Sequence, residues 1–282
     1  MSISAPPPIS AADYTAFCSY FYDQTGISFN DAKRYFVDKH LQERMEKTGT
    51  RDCSAYLTLL RRAPGEVERI TNLLTVNETY FFREDYQFDC MINSLLPELT
   101  ARRPRGSRLR IWSLPCSTGE EPYSIAIILL ERFRQVDEFD IEILASDIDT
   151  KVLAAAQEGV YDQRSLQRLP EALIRRYFTR TTQGRWKIIE DIRQSVSFST
   201  VNASDPRSMR AFSEVDLVFC RNMLIYFDDR SRLAAVQHIY DSMNNGGFIC
   251  LGHSELMNRI TYLFHRRNFP DASVYQKPLE GA

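Results

Sequence analysis

Between Ala11 and Thr25 the apolar groups fall at Tyr14, Phe17, Cys18 and Phe21, the i, i+3, i+4, i+7 spacing of one helix face. Gly26 is placed to stop that helix. A second helix is predicted from a cap at Asn30 or Asp31 to Gly49, and a third from a cap at Ser54 to Arg62. A fourth begins near Pro64, since proline is tolerated in a first turn. No convincing strand occurs in this stretch. After residue 100 the texture changes. Short apolar runs, Leu109 to Trp112, Ile141 to Ala145, Val215 to Cys220 and Phe248 to Leu251, alternate with helical stretches at Glu121 to Phe133, Thr150 to Gln157 and Asp229 to Met243. Buried strands alternating with helices predict an α/β domain with a mostly parallel sheet. Between them, Arg185 to Ile189 and Ser195 to Phe198 predict a small antiparallel β insertion. The expected division is an all-α N-terminal domain with linker, residues 1–80, and an α/β domain, residues 81–282, with its β subdomain at about 183–200.

Composition narrows the class. The chain has 282 residues, 44% hydrophobic and 26% charged, enough to build a core and unlike a disordered or collagen-like chain. Its 35 basic and 37 acidic side chains leave a net charge of -2, which gives no global reason to expect nucleic acid. The longest strongly apolar run, Ile125 to Leu130, is far short of the roughly 20 residues that span a membrane. Met1 to Ser10 has neither the basic nor the apolar region of a signal peptide, and Pro6 to Pro8 reads as a frayed tail. Cys18, Cys53, Cys90, Cys116, Cys220 and Cys250 are scattered, with no C-x-x-C pair. Reduced thiols, a cytoplasmic location, no metal and a monomer are the expectation.

In an open α/β sheet, ligands sit beyond the carboxyl ends of the strands. After the first strand comes Ser113 to Ser124, with small residues, one glycine (Gly119) and the carboxylates Glu120 and Glu121. It is neither G-x-G-x-x-G nor a P-loop, and two carboxylates there suit a cationic or hydroxyl-bearing ligand rather than a pyrophosphate. After the second strand, Asp147 is placed to accept ribose hydroxyls and Asp149 to cap the next helix. Cys220-Arg221-Asn222 and Tyr226 follow a later strand. Asn77 to Arg83 sets three aromatics between hydrogen-bonding groups.

Together, N-E-T-Y-F-F-R, W-S-x-x-C-S-T-G-E-E-P-Y-S, A-S-D-I-D, F-C-R-N-M-L-I-Y-F and G-H-S-E resemble the chemotaxis receptor methyltransferase family, CheR, over nearly the whole chain. Leu114-Pro115 departs from the small residues usual there, and proline removes a backbone N–H. The resemblance implies a class I, Rossmann-like methyltransferase domain. It also implies S-adenosylmethionine as donor, S-adenosylhomocysteine as product, and glutamate side chains of methyl-accepting chemotaxis receptors as acceptors. Carried over residue by residue, it makes Asn77, Thr79, Arg83, Glu121, Asp147, Asn202, Ala203, Cys220 and Arg221 the donor-binding residues. A glutamate carboxylate is already ionised at neutral pH, so no general base is required. Arg83 or Arg221 is expected to orient the acceptor and Tyr226 to hydrogen-bond it, with none of the four histidines catalytic. Other readings stay open: a methyltransferase of another acceptor, or a non-catalytic sensor of the same ligand.

The second helix sets Lys33, His40, Arg44 and Lys47 within about 60° of one another, beside an apolar stripe of Val37, Leu41 and Met45. A solvated face accounts for that pattern unaided; the resemblance implies docking on the acidic helical methylation region of a receptor. The antiparallel insertion is a second recognition element by the same resemblance, which in some family members pairs with a receptor's C-terminal peptide. The short turn Thr181 to Gly184 suggests a form that needs no such tether.

Overall fold

The fold is described from a computed structural model, over residues 8–101 and 103–279. Apart from the exposed Pro8, the tail expected at Pro6 to Pro8 lies outside the described residues. The chain forms two compact units, one of residues 1–76 with 226–232, the other of residues 77–225 with 233–282.

The first unit is helical. Helix α1, Ala11–Thr25, starts at Ser10, whose hydroxyl accepts from Asp13 N, and stops at Gly26 in the left-handed conformation (φ 74°). A 3-10 turn, Asp31–Lys33, leads into α2, Arg34–Thr48, which ends at Gly49 (φ 67°). Helix α3, Cys53–Arg62, is capped by Asp52 rather than Ser54, because the Asp52 carboxylate reaches Ala55 N. Helix α4 is Pro64–Leu74. Phe17, Phe21, Leu41, Met45, Tyr56, Leu60 and Ile70 fill the core. The segment Tyr226 to Arg232, expected in the α/β domain, joins this unit through an Ile27–Phe227 bridge and a Tyr22 hydroxyl donating to Asp228.

This unit corrects the docking face. Val37, Leu41 and Met45 are fully buried, so the apolar stripe is the core contact of α2 and no surface. Arg44 is also turned inward. Its Nε and Nη2 donate to the two oxygens of Glu66, each at 2.8 Å, and the Tyr56 hydroxyl donates to the same carboxylate at 2.8 Å. Lys47 and His40 share Glu43, at 2.7 and 3.4 Å. Lys33 is exposed but sits in the 3-10 turn ahead of α2. The four cations are thus not one free basic face.

Among the described residues the second unit is built on ten strands: β1 Arg108–Ser113, β2 Asp140–Asp147, β3 Val160–Tyr161, β4 Phe178–Arg180, β5 Trp186–Ile188, β6 Val196–Thr200, β7 Val215–Cys220, β8 Met243–Leu251, β9 His265–Asn268 and β10 Ser273–Gln276. Seven form one sheet in the order β6-β2-β1-β7-β8-β10-β9. β6, β2, β1, β7 and β8 run parallel, and β10 and β9 close the edge antiparallel. The chain leaves β1 for β2 on one side and returns to β7 on the other, so strand order reverses at β1. The small antiparallel sheet, β3-β5-β4, differs from expectation in its members. Val196 to Thr200 belongs to the main sheet, parallel to β2, with Val196 buried and Phe198 against Tyr123 at 5.6 Å. One apolar face makes this run an edge strand, and the insertion recruits β3 and β4 instead.

Candidate functional site

The reversal at β1 brings the carboxyl ends of β1, β2 and β7 together. After β1 the chain turns tightly into the helix Glu120–Arg132. Ser117 takes a left-handed φ of 49° and Gly119 a φ of 94°. A Cβ at Gly119 would lie 2.9 Å from the Ala156 Cβ and 3.1 Å from the Tyr161 hydroxyl, so the turn needs glycine twice over. Ser117 N donates to one oxygen of Asp147 at 2.8 Å, and Asp149 N to the other at 3.0 Å. Asp147 is 3% exposed, and burial pushes its pKa up to about 6 despite those two amides. Asp149 caps the next helix, accepting from Lys151 N and Val152 N, and its second oxygen accepts from the Asn77 side chain at 2.7 Å. Ser117 donates its hydroxyl to the Asn77 carbonyl at 3.2 Å. Asn77 is therefore tied to the turns after both β1 and β2.

A second cluster joins the end of β7. Glu121 accepts from the Ser113 hydroxyl at 2.6 Å and, with its other oxygen, from Arg221 Nε. Arg221 donates Nη1 to the Arg83 carbonyl at 2.6 Å and stacks over Phe88 and Phe219. Arg83 donates to the Glu78 carbonyl at 2.7 Å and lies over Tyr80. Its neighbours Phe82 and Glu84 are both left-handed (φ 60° and 54°), as is Asn222 (φ 60°). Such backbone is costly for residues other than glycine and collects at functional sites. Of the five such residues in the described chain, Phe82, Glu84, Ser117 and Asn222 lie here; Glu214 does not.

Asn77, Thr79, Thr118 and Glu120 line a cavity of about 540 Å³ with Glu78, Asp162 and Arg164. Three carboxylates face one guanidinium, itself 2.9 Å from Glu78, so the lining is net negative and suits a cationic ligand. Residues 77–272 match the family model for the CheR methyltransferase SAM binding domain, and residues 12–75 match that for the CheR all-alpha domain. The chain belongs to the CheR methyltransferase family. It is 46% identical over 275 residues to chemotaxis protein methyltransferase 2 of Vibrio cholerae, spanning 97% of this chain and 95% of that one. It is 36% identical to chemotaxis protein methyltransferase 2 of Pseudomonas aeruginosa, over 90% of this chain and 93% of the other. The chemotaxis protein methyltransferase of Borreliella burgdorferi is 32% identical, over 83% and 84%.

S-adenosylmethionine is the ligand of this CheR domain, and the donor set fits it: an acidic lining for a cationic sulfonium and ammonium, and carboxylates at a strand end for hydroxyls. The expected donor-binding residues fall into groups. Asn77 and Thr79 line the cavity, and Asn77 is linked to Asp147 through Ser117 and Asp149. Glu121, Arg221 and Arg83 form the second cluster. Asn202 and Ala203 follow β6, where Val201 N donates to the Asp147 carbonyl at 2.9 Å. The Asn202 side chain there accepts from Ser204, and the Ala203 carbonyl lies 2.9 Å from His238 Nδ1.

Three of the expected residues have these surroundings. Arg221 is buried and bonded through Nε to Glu121 and through Nη1 to the Arg83 carbonyl, so it organises Arg83. Cys220 is fully buried on β7, and burial pushes its thiol well above the usual range, so the side chain presents nothing to a ligand. Tyr226 belongs to the helical unit, where its carbonyl accepts from Ser28 N at 3.0 Å. Sequence reasoning missed Glu78, Asp162 and Arg164 in the cavity. The last two lie on the loop after β3, and no motif marked them.

Proposed function

We propose that this protein methylates glutamate side-chain carboxylates of methyl-accepting chemotaxis receptors. The observation that carries this reading is the match along both domains to relatives named chemotaxis protein methyltransferases. S-adenosylmethionine supplies a methyl group on a sulfonium, already a good leaving group, so the acceptor carboxylate takes it without a proton changing hands. Asn77, Thr79 and Asp147 hold the donor. Arg83, half-buried beside the cavity-lining Glu78 and Tyr80, orients the acceptor carboxylate and helps strip its water. Glu121 and Arg221 keep the Arg83 backbone in place.

Recognition of an acidic acceptor has support in the β insertion. Between residues 160 and 189 the chain carries seven basic and two acidic side chains, which leaves 28 against 35 elsewhere. Lys187 and Arg185 are exposed there, and the register sets Lys187 between Val160 and Thr179 on the outer face. The near-neutral total charge conceals this separation. The test is transfer of labelled methyl from S-adenosylmethionine to a purified receptor, followed by alkaline hydrolysis. Label released as methanol is the expected result. A labelled receptor that resists alkali would reject the ester, and an unlabelled one would reject the acceptor.

A further inference from the structure

The G-H-S-E run, Gly252 to Glu255, leaves β8 with His253 and Ser254 exposed and Glu255 only 7% exposed. The Glu255 carboxylate is turned back onto backbone amides. One oxygen accepts from Asn222 N at 2.8 Å and Gly252 N at 2.9 Å; the other accepts from Leu224 N at 2.8 Å. Burial raises its pKa in spite of these bonds. Amides converging around a left-handed residue, here Asn222, form a nest, a concavity that binds anions. In this chain the anion is the protein's own side chain. The glycine of the motif follows from the same contact: a Cβ at Gly252 would stand 2.8 Å from the Glu255 oxygen and 2.9 Å from Asn222 N.

Asn222 directly follows Arg221. The path of the chain after β7 therefore decides where the Arg221 guanidinium reaches, and with it the carbonyl of Arg83. Without an acceptor in the nest, the amides of Asn222 and Gly252 would lose their carboxylate partner and the left-handed turn would lose its reason. We propose that Glu255 is a positioning residue for methyl transfer: its carboxylate locks the turn after β7 so that Arg221 holds Arg83 in register with the site. The kinetic arm of the test rests on the methyl-transfer reading; the structural arm does not.

The test compares wild type, Glu255→Gln, Glu255→Ala and Gly252→Ala. Glutamine keeps the size but points an N–H group at amides that already donate. Three results are expected together for the Glu255 variants. Amide hydrogen exchange speeds up at Asn222 and Leu224 but not across the rest of the sheet. The turnover number per folded enzyme falls by about 10²-fold, as a misplacement of about 1 Å at the reacting centre produces. S-adenosylmethionine affinity falls far less than turnover, since the ties among Asn77, Asp147 and Asp149 are untouched. Gly252→Ala should reproduce the pattern from the other side of the contact. Acetate, which matches the part deleted in Glu255→Ala, should restore both exchange protection and turnover, a rescue that a role in general stability does not give. Unchanged turnover in Glu255→Gln, or faster exchange spread over the whole unit, would overturn the proposal. If wild type itself methylates no receptor, the acceptor assignment fails, and exchange with acetate rescue still decides the latch.

Discussion

Replacing Arg44 by alanine separates a structural cation from a docking one. Glu66 is 2% exposed, and its charge is matched inside the helical unit by one guanidinium bonded to both of its oxygens. Arg69 approaches at 3.4 Å but is largely solvent-exposed and adds little. Removing one partner of such a pair leaves an uncompensated buried charge and costs about 3–5 kcal/mol. Whole domains are stable by only about 5–15 kcal/mol, so Arg44→Ala should lower the stability of the helical unit severely. Lys47→Ala removes an exposed pair with Glu43 and should cost about 0.5 kcal/mol or less.

The assay is urea unfolding read by two probes. Both tryptophans, Trp112 and Trp186, lie in the α/β unit, so fluorescence follows that unit while far-UV circular dichroism also follows the helical one. Arg44→Ala should move the dichroism transition to lower urea and leave the fluorescence transition in place. Its pH dependence has a definite sign. Burial works upward on the Glu66 carboxyl, but the hydrogen bonds from Arg44 and Tyr56 outweigh it and hold the carboxyl below its usual range. The wild-type contribution is thus present above the unfolded pKa of about 4.3 and is lost as pH falls through the lower folded value. In Arg44→Ala burial prevails, the folded pKa rises, and stability should instead decline as pH increases through it. A loss below about 1 kcal/mol, or an unchanged pH slope, would refute the buried-pair argument.

Three further outcomes follow from the site. Burial holds Asp147 at about 6, so its ionised form is disfavoured in the fold, and stability should fall as pH rises from the ordinary carboxylate range to that value. A ligand whose hydroxyls need the carboxylate should then bind more tightly as pH passes through about 6, and calorimetry on Asp147→Asn should show that slope removed. Arg185→Glu with Lys187→Glu should raise KM for the receptor at low salt, an effect that fades at high salt, with S-adenosylmethionine affinity unchanged. Asp149→Ala should lower stability by about 1 kcal/mol for the lost cap. It should weaken donor binding further, because Asn77 loses its side-chain tie to Asp149 as well, and thermal melts with and without ligand would show both.

Local signals carried the elements well. Ala11 to Thr25 has the predicted ends because the apolar spacing and a left-handed glycine act within one helix. Val215 to Cys220 stands as read because every residue in it is buried. Ser195 to Phe198 was placed in the wrong sheet because strand pairing is a contact between distant segments, and its alternating pattern suits either edge. Of the site, the strand-end carboxylates Asp147 and Glu121 were legible from their position after a strand. The cavity wall supplied by the loop after β3 was not, since nothing in Asp162 or Arg164 marks which turn they face.

Charge is where sequence and structure part for a single reason. Arg44 and Lys187 are both cations, and helical or strand phase gives each a direction. Phase does not say what stands opposite. Glu66, on another helix, neutralises Arg44, and Glu121, a hundred residues away in sequence, neutralises Arg221. A cation's role, anchor or recognition, is therefore decided by an acid on a different element. The basic residues left for recognition are those whose elements face no acid. By that criterion Arg180, Arg185 and Lys187, which form no ion pair among the described residues, make the β insertion a surface on which receptor binding should be sought.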